Sequence, residues 1–381
     1  MRPLEGLLVV ALEQAVAGPM CSRRLADAGA RVIKLERPGG DFARGYDDVV
    51  HGESSYFAWL NRGKASVVVD LTAADDRKLF EALIAKADVF IQNLKPGALE
   101  RLDLSIATLR KRNPGLIACS IVGYGAATPD RNRKAYDLLI QAEAGLAGVT
   151  GEPERPARIG VSIVDTGTGM HAYEAILEAL IARGRTGDGC AIVVSMFDAM
   201  AEWMSVPLLH GRHGTAPKRQ GLQHPSVAPY GVFTCADGSP ILISIQNDRE
   251  WRTFAAHILG DATLGDDPTL ATNVARVANR DRTDGLVADV FAALTFDDIA
   301  ARLNIAEIAY GRVSSVADVW EHTALTTTLL ACANGDTAVP ARPVTFDGER
   351  APAGSTIPTL GADTEKVRRE FQSTSGVGPS E

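Results

Sequence analysis

The chain has 381 residues, 46% hydrophobic and 23% charged, proportions that fit a folded enzyme and exclude a disordered or fibrous one. Its 39 Lys and Arg against 47 Asp and Glu leave a net charge of -8 and no basic run long enough to track phosphates, which argues against nucleic acid as a partner. Five scattered cysteines without CxxC spacing support neither a disulfide framework nor a metal site, and no apolar run reaches the roughly 18 residues of a membrane span, so a reducing, cytoplasmic setting without membrane attachment is expected.

From the N-terminus, Leu7 to Leu12 reads as a short buried strand, followed by a helix in AGPMCSRRLADAGA, with Pro19 near its start and Gly29 near its end. Arg31 to Leu35 is the next strand. The same grammar continues with strand Ser66 to Leu71, helix Asp75 to Lys86, strand Asp88 to Asn93, helix Gly97 to Arg112 and strand Leu116 to Gly123. Parallel strands need crossovers, so the order predicts a Rossmann-like α/β domain with a parallel sheet. Glu36 stands where a dinucleotide-binding fold keeps its ribose-binding acid. The first turn, EQAVAGP, lacks GxGxxG, however, and NAD is rejected.

Further on, Val161 to Val164 is expected as a strand and Thr166-Gly167-Thr168-Gly169 as a turn, with a long helix from about Met170 to Arg183 and a strand-to-helix passage in CAIVVSMFDAMAEWM. The texture changes at HGRHGTAPKRQGLQHPSVAP. A hairpin with its turn at Asp237-Gly238 follows, then mainly helical sequence from Asp248 to about Trp320. The domain plan is a large domain over 1–210, a linker over 211–224, a smaller inserted α+β domain over 225–325, and a C-terminal segment over 326–381 that returns to the large domain, with a short helix near Thr364 to Phe371 and a polar tail.

The chemistry concentrates in RIGVSIVDTGTGMHAYEAILEAL, where Asp165 falls at the expected carboxyl end of a strand, the usual place for ligands in an α/β fold. Two roles are open to it. Asp165 either caps the following helix or forms an Asx turn, or it is a nucleophile beside glycines that let substrate approach the backbone.

Seven ordered motifs carry a resemblance over nearly the whole chain: VAGPMCSRRLADAGARVIKLERPGGDFAR (16–44), WLNRGKASVVVDL (59–71), VFIQNLKPGALERL (89–102), YDLLIQAEAGL (136–146), IVDTGTGMHA (163–172), HPSVAPYGVF (224–233) and GRVSSVADVW (311–320). On these the sequence resembles the class III CoA transferases, the family of formyl-CoA transferase and carnitine CoA-transferase, related to α-methylacyl-CoA racemase. The resemblance implies a CoA transferase with Asp165 as covalent nucleophile, CoA thioesters as substrates and no tightly bound cofactor. It also implies an interlocked homodimer, with the active site between the large domain of one subunit and the small domain of the other. Asp137 matches an active-site glutamate of formyl-CoA transferase and is read as catalytic, with a helix-start role as the alternative. Tyr136 stands where racemases carry a histidine, and a phenol with an ordinary pKa near 10 suits α-proton removal poorly, which favours transfer over racemisation. A non-catalytic CoA-binding relative is the remaining alternative.

For CoA, the resemblance points to Val16, Ala17, Arg37, Arg44, Asn93 and Arg101, the arginines because a planar guanidinium pairs with phosphate. Val16 replaces a glutamine of formyl-CoA transferase, and that enzyme's glycine-rich lid is absent. The loop RQGLQHPSVAPYG is instead similar to relatives acting on succinate, mesaconate, citramalate or itaconate. His224 and Tyr230 are candidates to hold a distal carboxylate, with Arg62 or Lys64 as alternative cations.

Overall fold

The computed structural model describes residues 2–350 and 354–372. The chain divides into two compact units, the first drawn from Met1–Leu146, Arg158–Val206 and Thr326–Glu381, the second from Ala147–Ala157 and Pro207–Leu325.

The first unit is built on a six-stranded parallel sheet. Its strands are β1 (Leu8–Leu12), β2 (Arg31–Glu36), β3 (Ala65–Val68), β4 (Val89–Gln92), β5 (Ile117–Val122) and the edge strand Ala191–Ser195, in the order β3-β2-β1-β4-β5 and then that edge strand. Both faces are covered, which is why Val9, Val10 and Ala11 run as an unbroken apolar stretch with no exposure. On one side Val10, Ile33, Leu83, Phe90 and Leu109 pack in a single core, to which the C-terminal helix Thr364–Gln372 adds Val367 and Phe371. Strand order reverses between β1 and β4, so a crevice opens beyond their carboxyl ends at Leu12 and Gln92.

Two expectations for this unit are corrected. The helix predicted over 97–112 is a short 3-10 turn, Glu100–Leu102, and a separate helix, Ile106–Arg112. Asp103, at φ 55°, breaks the first, and the Ser105 side chain caps the second by accepting from the Thr108 N–H. Val161 to Val164 is not a strand, and TGTG is not a turn. A 24-residue helix, Ile163–Thr186, runs through both. The glycines serve helix packing. A Cβ on Gly169 would lie 2.6 Å from the Ala17 carbonyl oxygen and 2.7 Å from Met20 Cβ; one on Gly167 would lie 2.7 Å from Trp203. Helix propensity is lost at both sites, and close approach of the helices Ala17–Asp27 and Met196–Trp203 compensates.

The second unit holds a three-stranded sheet in which Pro240–Ser244 lies between Tyr230–Thr234 and Tyr310–Arg312, antiparallel to both. Gly238, at φ +79°, makes the expected hairpin turn. The helices Asp248–His257, Arg280–Phe291 and Phe296–Ile305 bring Trp251, Phe254, Phe291 and Leu303 onto Ile241 and Ile243. Among the described residues no helix is long and apolar enough to cross a membrane. The polar tail predicted after the C-terminal helix lies outside the described residues.

Candidate active site

A cavity of about 600 Å³ opens in the first unit at the switch point, lined by Gln14–Ala17 after β1, Asn93–Pro96 after β4, Ile121–Gly123 at the end of β5, the segment Asn132–Leu138, and Ser162 and Asp165. Asp165 lies in the first turn of the helix Ile163–Thr186, not at a strand end. The N-cap residue Ser162 makes no side-chain capping bond. Its place is taken from 27 residues upstream, where Asp137 Oδ1 accepts the Val164 N–H at 2.8 Å and the Asp165 N–H at 3.2 Å. Asp137 Oδ2 accepts from Gln141 Nε2 at 2.7 Å, and buried Gln141 in turn accepts the Ile159 N–H at 2.8 Å. Asp137, which also lines the cavity, thus caps a helix other than its own.

This arrangement sets the charge of Asp165. A helix N-terminus ordinarily favours a carboxylate. Here the first-turn amides are spent on Asp137, and burial, followed by the negative charge of Asp137, raises the Asp165 carboxyl from 3.8 to about 7. A half-buried acid that ionises near neutrality and faces a cavity is suited to nucleophilic or acid-base work.

Of the residues singled out from sequence, Asp165, Asp137, Val16, Ala17 and Asn93 meet at this cavity. Asn93 clasps the turn after β1, with Oδ1 accepting the Gln14 N–H at 3.0 Å and Nδ2 donating to the Gln14 carbonyl at 2.8 Å. The arginines are placed elsewhere. Arg44 pairs with both oxygens of Glu36 at 2.9 Å and stacks 3.6 Å above the Phe57 ring. Burial alone would raise Glu36, but hydrogen bonds from Arg44 and Ser66 and the charge of Lys34 hold it at about 2, so Arg44 is committed to an internal ion pair. Arg62 is 1% exposed and donates to Asp27 at 3.2 Å, and Lys64 is buried on Glu13 at 2.8 Å. Arg37 donates to the Gly40 carbonyl at 2.9 Å, and Arg101 lies exposed beside Gly97; neither lines the cavity. His224 and Tyr230 belong to the second unit, where their rings stack at 5.1 Å and Arg280 donates to the His224 carbonyl.

Sequence reading missed Tyr46, Tyr56, Lys95, Lys134 and Arg158, all of which line the cavity. Tyr56 and Ser162 place their hydroxyls 3.3 Å apart, and Tyr46 stands edge-on to Tyr56. Burial first, then the charges of Asp41 and Asp165, pushes the Tyr46 hydroxyl up to about 12. Lys95, Lys134 and Arg158 are exposed and form no ion pair among the described residues. The signal for Arg158 was its place at the head of the same segment that carries Asp165.

A parallel sheet with a near-neutral acid at its switch point defines an α/β enzyme that works on a ligand held beyond the strand ends. The sequence model for CoA-transferase family III matches residues 4–364, and this chain belongs to that family and is a CoA transferase. It is 36% identical over 377 residues to an acetyl-CoA:oxalate CoA-transferase of Acetobacter aceti, covering 97% of this chain and 96% of that protein. It is 34% identical over 331 residues to a succinate–glutarate CoA-transferase of Agrobacterium fabrum, covering 84% and 82% respectively. The fold is similar to that of a CaiB/BaiF family protein from Brucella suis, with TM-score 0.81 at 35% identity over 97% of this chain and 99% of the other.

Proposed function

We propose that this enzyme moves CoA from succinyl-CoA to a C4 or C5 dicarboxylate, such as mesaconate, citramalate or itaconate, with Asp165 as nucleophile. The observation that carries the reading is the Asp165 carboxyl itself, half-buried at the cavity and raised to about 7. A carboxylate oxygen of Asp165 attacks the thioester carbonyl carbon, the C–S bond breaks, and the CoA thiolate leaves with the electron pair, giving a mixed anhydride. The thiolate then attacks the Asp165 carbonyl carbon, and the donor acid departs as its carboxylate. The acceptor carboxylate reverses the two steps, so no proton is gained or lost overall. The anhydride must be kept from water for the transfer to succeed.

Dicarboxylates fit the three unpaired cations Lys95, Lys134 and Arg158, since a second carboxylate or the CoA phosphates would neutralise them. The succinate–glutarate relative supports C4 and C5 acids and the oxalate relative a C2 acid. Incubation with succinyl-CoA and a panel of acids, read by mass spectrometry of new CoA esters, separates them. Mesaconate, citramalate, itaconate or glutarate is expected to outperform formate, oxalate and carnitine, and a clear preference for oxalate would overturn the acceptor assignment.

The same reading carries an interlocked homodimer in the cytoplasm. The helix Ser205–His213 leaves Val206, Leu208 and Leu209 each more than half exposed, an apolar surface that a second chain would cover. Light scattering is expected to give twice the mass of one chain at every accessible dilution. A folded, active monomer would count against it.

A further inference from the structure

The turn that follows β1 is held in a shape its own residues do not prefer. Ala15 sits at φ +62°, a region an alanine enters only under constraint. Its N–H donates to both oxygens of Asp41, at 3.0 and 3.2 Å. Asp41 is fixed in turn. Its Oδ2 accepts from Lys34 Nζ at 2.9 Å, its Oδ1 accepts the Ala43 N–H at 3.0 Å, and its own N–H donates to Glu36 Oε2 at 3.0 Å. Lys34 has no exposure and also donates to the Glu13 carbonyl at 3.2 Å, while the Glu13 carboxylate takes Lys64 Nζ at 2.8 Å. Two lysines, Lys34 and Lys64, and three acids, Glu13, Glu36 and Asp41, are thus buried in one network that reaches the turn through the Ala15 N–H and the Glu13 carbonyl.

A buried ion network is a weak device for stability and a better one for fixing register. What this one fixes is the wall of the cavity. Gln14, Ala15, Val16 and Ala17 line it together with Asp165. Val16, the N-cap of the helix Ala17–Asp27, carries no side-chain capping bond, and no acid occupies the first turn.

We propose that Asp41, anchored by Lys34, is a positioning residue for CoA transfer: it holds Ala15 at positive φ and so sets the Gln14–Ala17 wall against which the thioester is placed for Asp165. The inference rests on reading the cavity as the transfer site. Strain held at a functional site by surrounding structure is a recurrent way of pre-organising it.

The test compares wild type, Asp41→Asn, the double variant Asp41→Asn/Ala15→Gly, and Ala15→Pro, using succinyl-CoA with glutarate and normalising to folded protein by circular dichroism and thermal midpoint. Asp41→Asn is expected to lower kcat/KM by about 10- to 100-fold, as misplacement by an ångström does. Glycine reaches positive φ freely, so Ala15→Gly should return part of that loss. Ala15→Pro cannot adopt positive φ and has no N–H to give Asp41, while it leaves the Asp41–Lys34 contact in place, so it should lose as much as Asp41→Asn. A merely structural role predicts a lower thermal midpoint with unchanged transfer per folded molecule and no recovery by glycine, and either result overturns the proposal. Should Asp41→Asn fail to fold, Ala15→Pro decides, with loss in support and wild-type transfer against. A wild-type enzyme that exchanges no CoA overturns the transferase reading and this inference with it. One that exchanges normally while Asp41→Asn matches it overturns this inference alone.

Discussion

Asp165→Asn is expected to abolish transfer, by at least about a thousandfold in kcat, while the protein keeps its fold. The amide is nearly isosteric, so packing is undisturbed, but its oxygen carries no charge and cannot attack a thioester. Intact-mass measurement checks the same claim independently. Wild type mixed with succinyl-CoA and no acceptor should gain the mass of CoA less one water, as a thioester removable by hydroxylamine, and the Asn variant should gain nothing. Wild-type transfer should also rise with pH between about 6 and 8, as the carboxyl at about 7 ionises. A variant that transfers at normal rate would remove Asp165 from the chemistry.

The sheet was legible because buried parallel strands announce themselves as apolar runs, and β1, β2, β4 and β5 lie where those runs stand. Asp165 was legible as a position and misread as an element. Two glycines after an acid suggest a turn, and only the approach of Ala17, Met20 and Trp203 shows that they let three helices close on one another. The placing of Asp137 shows the more general limit. Its alternatives, an active-site acid or a helix-start residue, concerned its own helix, whereas it caps a different one 27 residues away. Arg44 looked like a phosphate ligand and Arg62 like a cation for a distal carboxylate for the same reason, since Glu36 and Asp27, which hold them, are brought near only by the fold. Lys134 was hidden in the charge-rich stretch DRNRKA, where no single cation stands out from a solvated surface.

The second large effect expected of Asp165→Asn is a gain in stability that depends on pH. In the unfolded chain this carboxyl ionises at its ordinary 3.8, whereas in the folded protein it holds its proton to about 7. Between those values the native state binds more protons than the unfolded state, so this group's contribution falls as pH rises and levels off above about 7. Keeping a carboxylate there at pH 8 costs up to roughly 4 kcal/mol. Asparagine has no charge to desolvate and none to oppose Asp137. The variant should therefore match wild type near pH 4 and exceed it progressively toward pH 8. Urea unfolding at pH 4.5, 6 and 8 would measure the difference, and the first unit's transition is the one expected to shift. A gap that is constant with pH, or that grows as pH falls, would mean that Asp165 is not held near neutrality. An inactive variant that is also more stable at pH 8 would mark this carboxylate as a site where folding stability is given up for reactivity.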